Sequence, residues 1–186
     1  MSAIPLKIYI TPFADKGVVE AEKWSRDAAT RALNVVNDIW SKANVSFVIN
    51  DCVIDKPLDM AKSARNDDQR LLGVLSYRHQ PDKTVHVYLV NPIENLIDGG
   101  GSYLNSDPEA ACFVQPYSSI DSSGRAWAHE LGHLMSLKHV EIDYAGEPQA
   151  ALLNNLMKPG LTMGRELTDK QIDQVKRSNL LKQFSA

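Results

Sequence analysis

Residues 129 to 139 read His-Glu-Leu-Gly-His-Leu-Met-Ser-Leu-Lys-His, and their spacing decides what the rest of the chain must be built around. On an α-helix, His129 and His133 share one face and lie about 6 Å apart along the axis. Both imidazoles then reach a single metal ion at about 2.1 Å. Glu130 is rotated off that stripe, which suits it to act as general base on a metal-activated water rather than as a ligand. His139 stands six residues beyond His133. On a continuing helix it would sit about 9 Å further along and face elsewhere. It joins the same ion only if the chain turns sharply after about Met135, so Ser136 is the joint. H-E-x-x-H with a third histidine at this distance is the ligand spacing of a catalytic zinc site. Glu141, Asp143 and Glu147 are alternative third ligands, because other zinc sites take a carboxylate downstream.

The surrounding sequence reads as a mixed α/β or α+β domain. Trp24, Ala28, Ala32, Val35, Val36, Ile39 and Trp40 keep helical spacing and mark the buried face of a long amphipathic helix. Val85, Val87, Tyr88, Leu89 and Val90 form a nearly continuous apolar run, as expected of a strand covered on both sides. Ser122 or Ser123 is expected to cap the helix carrying the histidines, which should end near Leu137. Thr168 and Gln171 form a capping box that starts a final helix. Strands alternating with helices imply a mostly parallel sheet.

With these residues in hand, the chain resembles the metzincin clan of zinc metallopeptidases, whose pattern is H-E-x-x-H-x-x-G-x-x-H followed by a Met-turn. His129, Glu130, His133 and His139 match it, and Ser136 stands where the clan has glycine. A non-glycine residue in that left-handed position costs roughly 1 kcal/mol or more. Asn155-Leu156-Met157-Lys158-Pro159 is similar to the L-M-x-P Met-turn of the matrixin branch, which would put Met157 beneath the metal.

The resemblance implies a metzincin-like catalytic domain. Its twisted five-stranded, mostly parallel sheet would carry one antiparallel edge strand, two long helices, and a smaller C-terminal lobe with the Met-turn and final helix. The expected strands are residues 6–10, 45–53, 84–90, 101–104 and 111–115, with a long helix over 18–40. Residues 1–186 would form one catalytic domain, its lobes divided at about residue 139. The edge strand, at Gly101, Ser102, Tyr103 and Leu104, would pair with an extended peptide substrate, and Pro159 would help wall the side-chain pocket, within residues 158–161. Lys158 stands where matrixins often carry an aromatic residue. The implied activity is zinc-dependent endopeptidase chemistry with one catalytic Zn2+ held by His129, His133 and His139. The alternative is a zinc-binding adaptor of the same fold with little or no catalysis. A third reading, histidines that merely pack, predicts no zinc at all.

Composition narrows the partners. The chain has 186 residues, is 44% hydrophobic and carries a formal net charge of −3, which gives no reason to expect nucleic acid or an anionic membrane. It lacks a run of about 18 apolar residues, so no membrane span is expected. Met-Ser-Ala-Ile-Pro-Leu-Lys has no charged stretch leading into an apolar core, so no signal peptide is expected. Localisation stays open between retention in the cell, leaderless export, and a mature domain of a secreted precursor. A monomer acting on peptide or protein is the simplest expectation.

The other candidates have bland readings beside the functional ones. In the strand order that the metzincin resemblance implies, Cys52 and Cys112 would lie three strand spacings apart, roughly 14 Å, too far for a disulfide, so two free, largely buried thiols are expected. His79 and His86 flank Asp82 and are read as surface residues in preference to a second metal site. Asp98-Gly99-Gly100-Gly101 allows a Ca2+ loop, although its glycines more readily explain a close approach of substrate backbone. Trp127 reads as core packing, and Tyr144 as either a structural residue or an oxyanion donor.

Overall fold

Strand β3 (Val85–Val90) is buried along its whole length. That burial follows from its place in the sheet, between β1 (Ser2–Thr11) and β5 (Ala110–Val114). The structure is a computed structural model that describes residues 2–12, 24–57, 75, 79, 82–90, 100–104, 110–140, 152–160 and 163–184. Among these, β2 (Val45–Ile54) and β4 (Gly100–Leu104) complete a sheet of order β2-β1-β3-β5-β4. β2, β1, β3 and β5 run parallel, and β4 pairs antiparallel with β5 at the edge.

Two helices cover one face of the sheet. Helix α1 (Arg26–Ser41) packs on β2, and α2 (Ile120–Leu134) packs on β4, β5 and α1. Beneath them, Ile4, Leu6, Ile8 and Ile10 of β1 join Val85, Val87 and Leu89 of β3 in the core. A fully buried aliphatic side chain of this kind contributes about 1.5–3 kcal/mol. The helices cross closely because Gly124 has no side chain: a Cβ there would lie 2.6 Å from Val35 Cβ. Trp40 Nε1 donates to the Ala128 carbonyl at 3.3 Å and ties the same crossing.

The helices begin and end where local backbone chemistry sets the boundary. α1 starts after Ser25, whose extended backbone and hydroxyl cap the Ala28 N–H, so Trp24 lies ahead of the helix. It still serves the core, donating Nε1–H to the Val114 carbonyl and meeting Trp127 edge-on. The expected helix start at residue 18, and all of 18–23, lie outside the described residues. α2 is capped by Ser119, not by Ser122 or Ser123. Ser119 alone is extended, with φ −148°, and its hydroxyl accepts from the Ser122 N–H. α2 also stops at Leu134 rather than near Leu137, because Ser136 has φ +70°. Helix α3 (Asp169–Arg177) opens on the Thr168–Gln171 capping box, and α4 (Asn179–Gln183) follows.

Cys52, Ile8, Val87 and Cys112 form one row across β2, β1, β3 and β5. Both cysteines are free; Cys112 is buried, whereas Cys52 is only half-buried because β2 is an edge strand. The reading of His79 and His86 as surface residues is corrected. His86 is 6% exposed and bonded to Asp82 at 3.1 Å, while His79 stacks on Tyr9 with ring centroids 3.6 Å apart. They lie on the sheet face opposite α1 and α2, which is buried around Tyr9, His86 and Tyr88.

Candidate metal centre

α2 supplies the first part of the centre as a rigid unit. His129 and His133 project from adjacent turns, with His129 buried and His133 half-buried. Ser136 then takes the left-handed conformation and its N–H bonds back to the His133 carbonyl at 2.9 Å, reversing the chain. The reversal brings His139 back. Its Nε2 lies 3.2 Å from Nε2 of both His129 and His133, and those two are 3.0 Å apart.

The proton positions follow from the backbone around the rings. His129 Nδ1 lies 2.8 Å from the Leu156 carbonyl, and His133 Nδ1 lies 2.8 Å from the Leu137 carbonyl. A carbonyl only accepts, so each Nδ1 carries the proton and each neutral ring presents a bare Nε2. Burial drives His129 down to about 3 from its ordinary 6.5, and the neighbouring histidines add to this against the opposing Leu156 bond. Burial lowers His133 in the same direction. The bare Nε2 lone pairs of His129 and His133, 3.0 Å apart, cannot bond one another, and a cation held with His139 would satisfy both. Tetrahedral zinc with Zn–N near 2.1 Å needs nitrogens about 3.4 Å apart, close to the separations seen. Among the described residues this is the one group of three or more metal-binding side chains whose donor atoms converge.

Glu130 is 7% exposed, next to the first histidine on α2. Its charge reaches the Cys112 thiol on β5 and adds to burial in holding that thiol well above its ordinary range. Gly132, on the same helix, faces Met157: a Cβ there would lie 2.6 Å from Met157 Sδ. Met157 itself is fully buried, as is Trp127.

The segment holding Met157 is anchored from several directions. Leu156 N–H donates to the Glu166 carbonyl at 2.8 Å, and Val140 N–H to the Met157 carbonyl at 3.1 Å. Buried Asn155 accepts from the Met157 N–H at 2.9 Å. Arg125 Nη1 of α2 donates to the Met163 carbonyl at 2.7 Å, and Arg165 pairs with Asp38 of α1 at 2.9 Å.

The expected site residues are not all equally placed. His129, Glu130, His133, Ser136, His139 and Met157 come together as described. Gly101, Ser102, Tyr103 and Leu104 are placed by backbone pairing with Phe113, Cys112, Ala111 and Ala110 of β5, which leaves their strand at the sheet edge. Pro159 precedes Gly160, which turns with φ +77°. Glu141, Asp143, Tyr144, Glu147, Asp98, Gly99 and Leu161 lie outside the described residues. The carbonyls of Leu137 and Leu156 were missed by sequence reading, since a carbonyl has no residue-type signature. The role of Asn155 was missed too, although a polar residue two positions before Met157 was a usable signal.

No family model matches the sequence, and no curated protein matches it. Solved structures do match in fold. Archaemetzincin from Methanopyrus kandleri superposes with a TM-score of 0.58 at 13% identity, over 97% of each chain. Metalloproteinase-II from Bacteroides fragilis gives 0.57 at 14% identity over all of this chain, which spans 54% of that one. A zinc-dependent peptidase from Methanocorpusculum labreanum gives 0.50 at 15% identity, over 90% of this chain and 99% of that one. The chain is therefore similar in fold to solved zinc metallopeptidases.

Proposed function

We propose that this chain is a zinc-dependent endopeptidase of the metzincin clan. The observation that carries the reading is the convergence of Nε2 atoms from His129, His133 and His139, 3.0–3.2 Å apart, with Glu130 following His129 on the same helix. Likeness in fold to zinc peptidases supports it. Within the clan, the matrixin-like assignment rests on Leu156-Met157-Lys158-Pro159 as a Met-turn. We further propose that residues 1–186 act as one monomeric catalytic domain, with lobes meeting near residue 139.

His129, His133 and His139 would hold the zinc. When bound, the metal lowers the pKa of a water and polarises a carbonyl. The chain's residues do the remainder. Glu130 accepts the proton of the attacking water and delivers it to the amide nitrogen as the C–N bond breaks. Gly101, Ser102, Tyr103 and Leu104 align an extended peptide by backbone pairing along β4, and Pro159 bounds the side-chain pocket. Ser136 and Met157 support the histidines without touching substrate.

Elemental analysis of protein purified without chelator should find one zinc per chain. Peptide cleavage should then fall by about 10²–10⁴-fold in Glu130→Ala while zinc content is retained. A chain without zinc, or a Glu130→Ala variant with full activity, overturns the reading.

A further inference from the structure

Helix α3 lies well away in sequence from the histidines, yet it reaches both turns that orient them. Gln171, fully buried in its first turn, forms a reciprocal amide pair with fully buried Asn155. Asn155 Nδ2 donates to Gln171 Oε1 at 2.8 Å, and Gln171 Nε2 donates to Asn155 Oδ1 at 3.0 Å. Each amide also serves the backbone. Gln171 Oε1 accepts from the Thr168 N–H at 2.9 Å, and Asn155 Oδ1 accepts from the Met157 N–H at 2.9 Å. The Met157 N–H belongs to the same peptide unit as the Leu156 carbonyl, the acceptor for His129 Nδ1–H. One turn further along α3, Gln174 Nε2 donates to the Ser136 carbonyl at 2.5 Å. Ser136 immediately precedes Leu137, whose carbonyl accepts from His133 Nδ1–H.

From this we infer that Asn155, Gln171 and Gln174 are positioning residues for the metal centre. α3 acts as a clamp across the two turns whose carbonyls fix the tautomer and tilt of His129 and His133. The inference rests on the zinc reading above. It exceeds ordinary helix capping, because the capping box needs only the Thr168 and Gln171 groups that face each other. The pair with Asn155 adds nothing to that box and continues instead to the peptide unit beneath His129. Both arms are built from neutral amides, so neither changes charge with pH. The buried arm is also hard to replace: removing either amide leaves its partner unsatisfied in a dry site.

Three variants separate positioning from folding. Gln171→Glu in its ionised form keeps acceptance from Thr168 and from Asn155 Nδ2, and so keeps the helix cap, but it cannot donate to Asn155 Oδ1. Asn155→Ala cuts the pair outright, and Gln174→Ala cuts the exposed arm. Zinc Kd would be measured by chelator competition, alongside the visible spectrum of the Co2+-substituted protein and thermal melts of the zinc-free forms. Asn155→Ala and Gln171→Glu should each raise zinc Kd by about ten-fold or more, the range for groups that orient metal-bound histidines, and should alter the Co2+ spectrum. Gln174→Ala should do less, since water replaces an exposed donor. Variants whose zinc-free melts fall while zinc Kd stays within about two-fold of wild type overturn the clamp and leave the zinc reading standing. A wild-type chain that takes up no zinc overturns both.

Discussion

The two halves of the metal centre are made in different ways. His129, Glu130 and His133 ride on α2, and one helix fixes their relation. His139 and the Leu156 carbonyl arrive on separate turns, through Ser136 at φ +70° and through hydrogen bonds to Glu166 and Asn155. The helical half is determined by residues four apart, whereas the turned half is determined by contacts across about thirty positions. Local order is therefore expected to outlast tertiary order: damage to the C-terminal segment should leave two histidines aligned but without their third partner.

The largest effect should come from comparing one ligand in each half. His133→Ala and His139→Ala should both weaken zinc by about 10²–10³-fold, since a structural zinc site spreads roughly 10–16 kcal/mol over about four ligands. The far-ultraviolet helical signal should hardly change. A weak effect of His139→Ala beside a strong one of His133→Ala would show that the turned half supplies a different ligand. Chelator competition decides it.

Acid should act on the helical half first. Burial holds His129 at about 3 and lowers His133 as well, so both rings stay neutral in the fold at a pH where the unfolded chain protonates them. Between about pH 6.5 and 3 the unfolded state binds more protons, so stability is complete above that window and is lost as pH falls through it. For zinc-free protein the loss should approach about 1.4 kcal/mol per pH unit from His129, with His133 adding in the same direction. Urea midpoints at several pH values measure it, and a flat profile would show that the rings are solvated after all.

The smallest effect is the sharpest test of the turned half. Ser136→Gly removes a side chain from a left-handed position and should stabilise by roughly 1 kcal/mol or less, because glycine also frees the unfolded chain. That corresponds to about 2–4 °C in Tm. A fall in Tm would mean that the serine side chain holds the turn in some other way.

What could be read from the sequence divides along the same line. α1, β3, the capping box of α3 and the histidine stripe were legible because each depends on neighbours within a few residues. Ser119 was overlooked because Ser118, Ser119, Ser122 and Ser123 are all acceptable caps, and only backbone conformation selects among them. His86 was misplaced because it interrupts an apolar run as an outward residue would. The burial of that sheet face at Tyr9 and Tyr88 is supplied by remote chain, including His79. The carbonyls of Leu137 and Leu156 were invisible for a simpler reason: any residue type carries one.

The row of residues from Cys52 to Cys112 gives the molecule a built-in clock. Cys52 is half-buried at an edge strand, while Cys112 has no exposed surface, and burial together with the Glu130 charge keeps its thiol protonated. An alkylating reagent should therefore label Cys52 promptly and reach Cys112 only when β5 parts from its neighbours. The slow rate reports how often the sheet opens under α2, and the fast one calibrates the reagent in the same tube. Adding metal should stretch the interval between them if the ion stiffens that corner of the fold.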